Sequence, residues 1–167
     1  MPNSTSTNYK IPQAYLLLVM RRLTDSLLQD GDGYAKEKSL PWPARMNSVV
    51  SIIAQAESIS AGQISKYLGY SPQLIAQNLK FLKKIDVIQS LPGQNDKRSK
   101  LISLTQNGQH HYQNLQLLED IADEVFEDIF EDMGVNMHTL LLKFESYFEQ
   151  SSLLERLHKI IEAREDS

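Results

Sequence analysis

The stretch from 60 to 72 carries its own punctuation, and few folds accommodate it. Ser60 is a helix N-cap, and Gln63 three positions on completes a capping box. Ile59 and Ile64 stand at the two positions of a hydrophobic staple. This short helix ends at Leu68, because Gly69 occupies the place where a left-handed residue closes a C-terminus. Ser71 caps a second helix with Pro72 at its first position, and Tyr70 and Ile75 repeat the staple. Two helices joined through Gly69-Tyr70-Ser71 make a helix-turn-helix.

The second of these helices is expected to reach about Ile85, with Ile75, Leu79 and Leu82 as its inner stripe. Gln73, Leu74, Gln77 and Lys80 fall away from that stripe, and Leu74 and Phe81 are expected to be exposed. Strand-like runs follow over 87–91 and 101–104. Between them lies Pro92-Gly93-Gln94-Asn95-Asp96-Lys97-Arg98-Ser99, too long for a tight hairpin and rich in turn formers. A hairpin with a long basic loop directly after a helix-turn-helix is a wing.

Helices flank this unit. One is expected over 11–29, stopped by Asp30-Gly31-Asp32-Gly33, and another over 43–56 with Met46, Val49, Val50 and Ile53 as its buried stripe. Thr105 caps a long helix to about Met133. Over 117–132 that helix repeats a four-residue unit, which advances about 40° per repeat around an axis of 3.6 residues per turn. Its apolar stripe therefore spirals, and its two ends face different partners. A last helix is expected over 137–164, with Gln150-Ser151-Ser152 as a candidate kink. The first helix and the last two carry more apolar surface than a small winged module can cover, so a second copy of the chain is the expected cover. Packing of the same helices on one another in a monomer is the competing arrangement.

Charge is segregated. Residues 60–104 hold seven lysines and arginines against two aspartates, a net +5; the whole chain carries −4, which leaves −9 elsewhere. One face is thus suited to a polyanion and the remainder avoids it. Among the 167 residues there is no cysteine, which excludes disulfides, thiolate metal sites and cysteine redox sensing. The longest apolar run, 14–20, is too short to span a bilayer, and residues 1–8 lack the pattern of a signal peptide. A cytoplasmic protein without membrane partners is expected. Glu119, Asp120, Asp123, Glu124, Glu127, Asp128, Glu131 and Asp132 include neither a paired histidine nor a calcium loop, and read as a solvated helix face. His110, His111, His138 and His158 have no ligand spacing. With no phosphate-cradling loop or nucleophile elbow either, the chain reads as a non-enzyme without cofactor or metal.

Residues 46–109 resemble the MarR family of bacterial transcriptional regulators. The likeness rests on Asp96-Lys97-Arg98-Ser99, then Ile102, then Leu104-Thr105-Gln106-Asn107-Gly108, which is similar to the family's wing signature. Ile64-Ser65 and Leu68-Gly69-Tyr70-Ser71 match its helix-turn-helix in register, and the order of helices is similar over nearly the full chain. Two departures stand out. Where the family usually has Gly, apolar residues and then Arg, this chain has Ile85-Asp86-Val87-Ile88-Gln89-Ser90, and the often basic position of the recognition helix is Gln77.

The expected fold class is therefore mainly α with a small β-hairpin wing. The expected organisation is a flexible tail over 1–10, a winged helix-turn-helix DNA-binding lobe over 42–105, and a helical dimerisation region from 11–33 and 106–165. The expected function is sequence-specific regulation of transcription, as a repressor, by a homodimer on double-stranded DNA. Ser71, Gln73, Leu74 and Gln77 are candidates for the major groove, where glutamine pairs with adenine and leucine packs on a thymine methyl. Arg98 is the candidate for a narrow minor groove, held by Asp96, with Lys97 and Lys100 on phosphate. Lys80, with Lys83 and Lys84, raises the local field. For any single one of these residues, plain solvation is the bland alternative. The resemblance also implies control by a small aromatic acid, with Trp42, Arg45 and Tyr15 as candidate lining residues, although Trp42 reads equally well as core. The rival class is a winged helix that docks on another protein without binding DNA.

Overall fold

A computed structural model describes residues 11–92 and 100–166. The tail expected over 1–10 lies outside the described residues. The chain divides into two compact units, Met1–Leu117 and Leu118–Ser167.

The first unit opens with a single turn of 3-10 helix, Gln13–Tyr15, and helix α1, Leu16–Glu37. Another such turn, Ala44–Met46, leads into α2, Asn47–Gln55. Strand β1, Ile59–Ser60, precedes α3, Ala61–Leu68, and α4, Pro72–Lys84. The wing strands are β2, Ile88–Pro92, and β3, Lys100–Leu104. Helix α5, Gln106–Met133, crosses the unit boundary.

The sheet is antiparallel with β3 in the middle. Ile88 lies opposite Leu104 at one end of the hairpin and Pro92 opposite Lys100 at the other, while Ile59 pairs with Ile102 on the far edge. Strand β1 was not anticipated from sequence: two residues carry no alternation to read, and only their pairing with β3 makes them a strand.

The core lies between the helices and this sheet. Met46, Val49, Val50 and Ile53 are buried along α2 as their spacing requires. Ile59 and Ile64, the staple pair, are buried with them, as are Val87, Ile88, Ile102 and Leu104 from the strands. Leu115 closes the core from α5.

Two expectations are corrected. First, Asp30-Gly31-Asp32-Gly33 does not stop α1, which runs on to Glu37. Asp32 Oδ1 accepts a hydrogen bond from the Ala44 N–H at 2.7 Å, so it caps the turn that starts α2. Gly31 faces the same turn: a Cβ there would stand 2.9 Å from the Ala44 Cβ. The glycine is kept for close approach between segments, and the packing outweighs its cost of about 1 kcal/mol inside a helix. Second, the inner stripe of α4 is Ile75, Asn78 and Leu82, and Leu79 is only half-buried. Phe81 is also half-buried, whereas Leu74 is 40 % exposed.

Trp42 is core. It is 2 % exposed, its Nε1–H donates to Asn47 Oδ1 at 3.0 Å, and the His111 ring meets it edge-on at 6.1 Å. Arg45 and Tyr15, named with it as lining candidates, are both exposed.

The second unit contains the remainder of α5, then α6, Met137–Gln150, and α7, Leu153–Glu165. Gly134, at φ +64°, ends α5. The expected kink is a full break. Ser152 caps α7 in a capping box with Glu155, and Arg156 turns back to donate to the Tyr147 carbonyl at 2.7 Å and the Ser151 carbonyl at 3.0 Å. The last carbonyls of α6 are thereby satisfied by the first turn of α7. No helix among the described residues is long and apolar enough to cross a membrane.

Candidate nucleic-acid interface

Helices α3 and α4 are fixed by the bonds their sequence encodes. The Gln63 N–H donates to Ser60 Oγ at 3.3 Å while Gln63 Oε1 accepts from the Ser60 N–H at 3.0 Å, the reciprocal pair of a capping box. Gly69 sits at φ +66°, where residues with a Cβ are disfavoured. Across the turn the Ser65 hydroxyl donates to the Tyr70 carbonyl at 2.6 Å, and Ser71 Oγ accepts from the Leu74 N–H at 3.2 Å. The turn between the two helices is thus fixed by a left-handed glycine and two side-chain bonds.

With Ile75, Asn78 and Leu82 turned inward, α4 presents Ser71, Gln73, Leu74, Gln77 and Lys80 to solvent. All five candidates named on this helix therefore share its outer side. Ala76 joins them, exposed, and was missed from sequence. Taking Leu79 as an inner residue rotates the helix slightly; the buried Asn78 sets the true rotation.

Helix α4 ends in a Schellman motif. The Val87 N–H donates to the Leu82 carbonyl at 3.0 Å and the Asp86 N–H to the Lys83 carbonyl at 3.2 Å, with Asp86 left-handed at φ +57°. Leu82 and Val87 are both fully buried, the apolar contact that accompanies this stop. So the aspartate stands where a glycine is favoured. It carries a negative charge at a helix C-terminus besides, where the macrodipole opposes it. Asp86→Gly is expected to stabilise the chain by about 0.5–1 kcal/mol, raising Tm by about 2–4 °C. Thermal unfolding checks this, and a lower Tm would mean that the carboxylate makes a favourable contact.

The wing is anchored by the segment that follows it. Thr105 Oγ1 donates to the Asp86 carbonyl at 2.6 Å and the Thr105 N–H to the Val87 carbonyl at 3.0 Å. The same hydroxyl accepts the Gly108 N–H at 2.9 Å, so Thr105 caps α5 and ties it to the start of the hairpin together. Asn107 Nδ2 adds a bond of 3.3 Å to the Asp86 carbonyl. Gly108 is buried, and a Cβ there would overlap the Val87 carbonyl. The run Leu104-Thr105-Gln106-Asn107-Gly108 is therefore a joint between wing and helix.

Lys66, Lys80, Lys83, Lys84 and Lys100 are exposed on these elements. Asp96, Lys97 and Arg98, the remaining wing candidates, lie outside the described residues. Ser90 is exposed on β2.

No family model and no curated protein matches the chain. Solved structures do. The reduced form of MarR from E. coli shares 28 % identity at a TM-score of 0.58, over 81 % of this chain and 98 % of that one. A mutant MarR from E. coli complexed with operator DNA gives 23 % identity and a TM-score of 0.61, over 80 % and 99 %. The S. aureus MepR–DNA complex reaches a TM-score of 0.67 at 17 % identity, over 83 % and 99 %, a likeness of fold alone. In fold the chain is similar to these MarR-family regulators: it is a winged helix-turn-helix protein, mainly helical with a small antiparallel sheet.

Proposed function

We propose that this chain is a DNA-binding regulator of transcription, a repressor, that works in the cytoplasm as a homodimer on double-stranded DNA. The observation that carries the reading is the outer side of α4, polar and exposed beside the lysines of α3, α4 and β3. The neighbours solved with DNA, MarR and MepR, support it. In a helix-turn-helix the second helix enters the major groove with its N-terminal residues on base edges. Ser71, Gln73, Leu74 and Gln77 meet that requirement, and Lys80 and Lys100 meet phosphate. Arg98, flanked by Asp96 and Lys97, takes the minor groove.

Dimerisation is supported by apolar side chains with no cover in the single chain. Leu17 and Leu23 on α1 are 73 % and 55 % exposed, and Leu154 and Ile160 on α7 are 61 % and 57 % exposed. Apolar surface of this kind marks an association site. A two-fold dimer places two copies of α4 on half-sites about one helical turn apart.

A cleft of about 290 Å³ lies where Asp32, Ala35 and Lys36 of α1 meet Leu40, Pro41, Trp42 and Pro43. It is where we place a small aromatic acid, with the more open Pro41 and Pro43 for the ring and the Lys36 ammonium for the carboxylate. Such an effector acts only by preferring the DNA-incompetent dimer.

The test is an anisotropy titration against duplex from upstream of the chain's own gene, at low and moderate salt. Specific binding at two protomers per site, falling steeply with salt, is the expected result. Arg98→Ala is expected to weaken it about tenfold or more with the fold intact by circular dichroism. Unchanged affinity would remove the wing from the interface. Absence of binding to this and to random duplex would favour the protein-docking reading.

A further inference from the structure

We propose that the bases read by α4 are A·T pairs, and that Gln73, Gln77 and Leu74 set this preference. The inference rests on the DNA-binding reading above and names the class of duplex it takes.

The burial of α4 decides which side chains can reach a base. Ile75, Asn78 and Leu82 face the core, which leaves Ser71, Pro72, Gln73, Leu74, Ala76 and Gln77 exposed over the first two turns. Gln73 and Gln77 are four positions apart and Leu74 and Gln77 three, so the three side chains are neighbours on the helix surface. They form one cluster of two carboxamides and one isobutyl group.

Major-groove chemistry discriminates sharply among partners for such a cluster. Guanine presents two acceptors, O6 and N7, and is read two-pronged by arginine or lysine. No cation stands on α4 before Lys80, nine positions beyond the cap and about 14 Å along the axis. Cytosine presents an N4 donor that calls for a carboxylate, and 71–80 contains none. Adenine presents an acceptor at N7 beside a donor at N6, and a carboxamide matches both at once. On G·C pairs the same glutamines make one bond and leave a polar atom unpaired. Leu74, 40 % exposed beside two carboxamides, has no favourable partner in water. Beside a thymine methyl it gains an apolar contact, and Ala76 is small enough to admit another. Every exposed group in the first two turns thus fits A·T pairs or, like Ser71 and Pro72, accepts either kind.

The experiment is selection of binding sites from randomised duplex by the full chain, followed by base analogues in the selected site. Wild type is expected to enrich A·T pairs in each half-site, at positions where Gln77→Arg shifts selection towards G·C. Exchanging one such pair for G·C is expected to cost about 5- to 100-fold in affinity. Adenine replaced by 7-deazaadenine, which lacks only the N7 acceptor, is expected to weaken wild type several-fold, and the effect at one adenine is expected to vanish in Gln73→Ala and at another in Gln77→Ala. Uracil in place of thymine is expected to weaken wild type but not Leu74→Ala. All these substitutions are at exposed positions, and circular dichroism verifies that each variant folds. Enrichment of G·C at the positions that respond to Gln77→Arg overturns the inference and leaves the regulator intact. So does indifference to both analogues with tight binding retained. Failure to retain any duplex overturns the regulator reading and this inference together.

Discussion

Gly108→Ala is expected to destabilise the chain by about 3 kcal/mol or more, although alanine is the better helix former by about 1 kcal/mol. The sign is decided by what a Cβ would meet. Its neighbours are the Val87 carbonyl oxygen, which it would overlap, and the Val87 carbonyl carbon at 2.9 Å. These are backbone atoms and cannot rotate away. Val87 is held on one side by its Schellman bond to the Leu82 carbonyl at 3.0 Å. On the other, its own carbonyl accepts the Thr105 N–H at 3.0 Å. To admit the methyl group, α5 must withdraw from the base of the wing and break the bonds through Thr105 and Asn107. Urea unfolding measures the loss. A change below about 1 kcal/mol would mean that the start of α5 slides without cost, and the joint between wing and helix would have to be abandoned. Thr105→Val, which keeps the shape and removes the hydroxyl, is the milder companion.

Trp42→Ala is expected to cost about 3–5 kcal/mol, the usual range for deleting a buried aromatic. Trp42 is 2 % exposed and packs where the end of α1, the start of α2 and the first turns of α5 converge. Its loss opens a cavity and strands Asn47 Oδ1, the acceptor of the indole N–H. A second readout separates local from global damage. Burial, and then the charge of the neighbouring His110, hold the His111 pKa below its ordinary value. With the indole gone, water reaches the imidazole and its pKa is expected to rise. NMR titration of a stabilised Trp42→Ala chain follows this directly. An unmoved His111 would show that the desolvation comes from other groups. Trp42→Phe retains much of the apolar area but loses part of the ring volume and the bond to Asn47, and is expected to fall between wild type and Trp42→Ala.

The helix-turn-helix was legible almost to the residue. Each of its signals closes within a few positions: Ser60 with Gln63, Gly69 with its own φ, Ser71 with Leu74. The same holds for Ser152 with Glu155 at the head of α7, although the break there reads from sequence only as a candidate kink. Local bonds of this sort need no tertiary partner, so residue order alone specifies them. The wing strands were legible for a related reason, since two apolar runs bounding a turn-rich segment leave little choice.

The errors lie where a residue answers to something far along the chain. Asp30-Gly31-Asp32-Gly33 has the composition of a stop, yet α1 passes through it because Asp32 caps a turn 12 positions away. Asn78 is buried in place of Leu79, an outcome of how α4 seats on the core and not of side-chain polarity. Asp86 takes a left-handed conformation disfavoured for a residue with a Cβ, and its carbonyl is gripped by Asn107, 21 positions on. Sequence by itself determined the helix-turn-helix, the wing and the segregation of charge, because caps, turns and side-chain ionisation are local properties. Only the tertiary structure decided that Asn78 and not Leu79 is buried on α4, why Gly31 and Gly108 lack side chains, and that Trp42 is core. Those outcomes depend on how closely distant segments pack, and close packing is a property of the assembled chain.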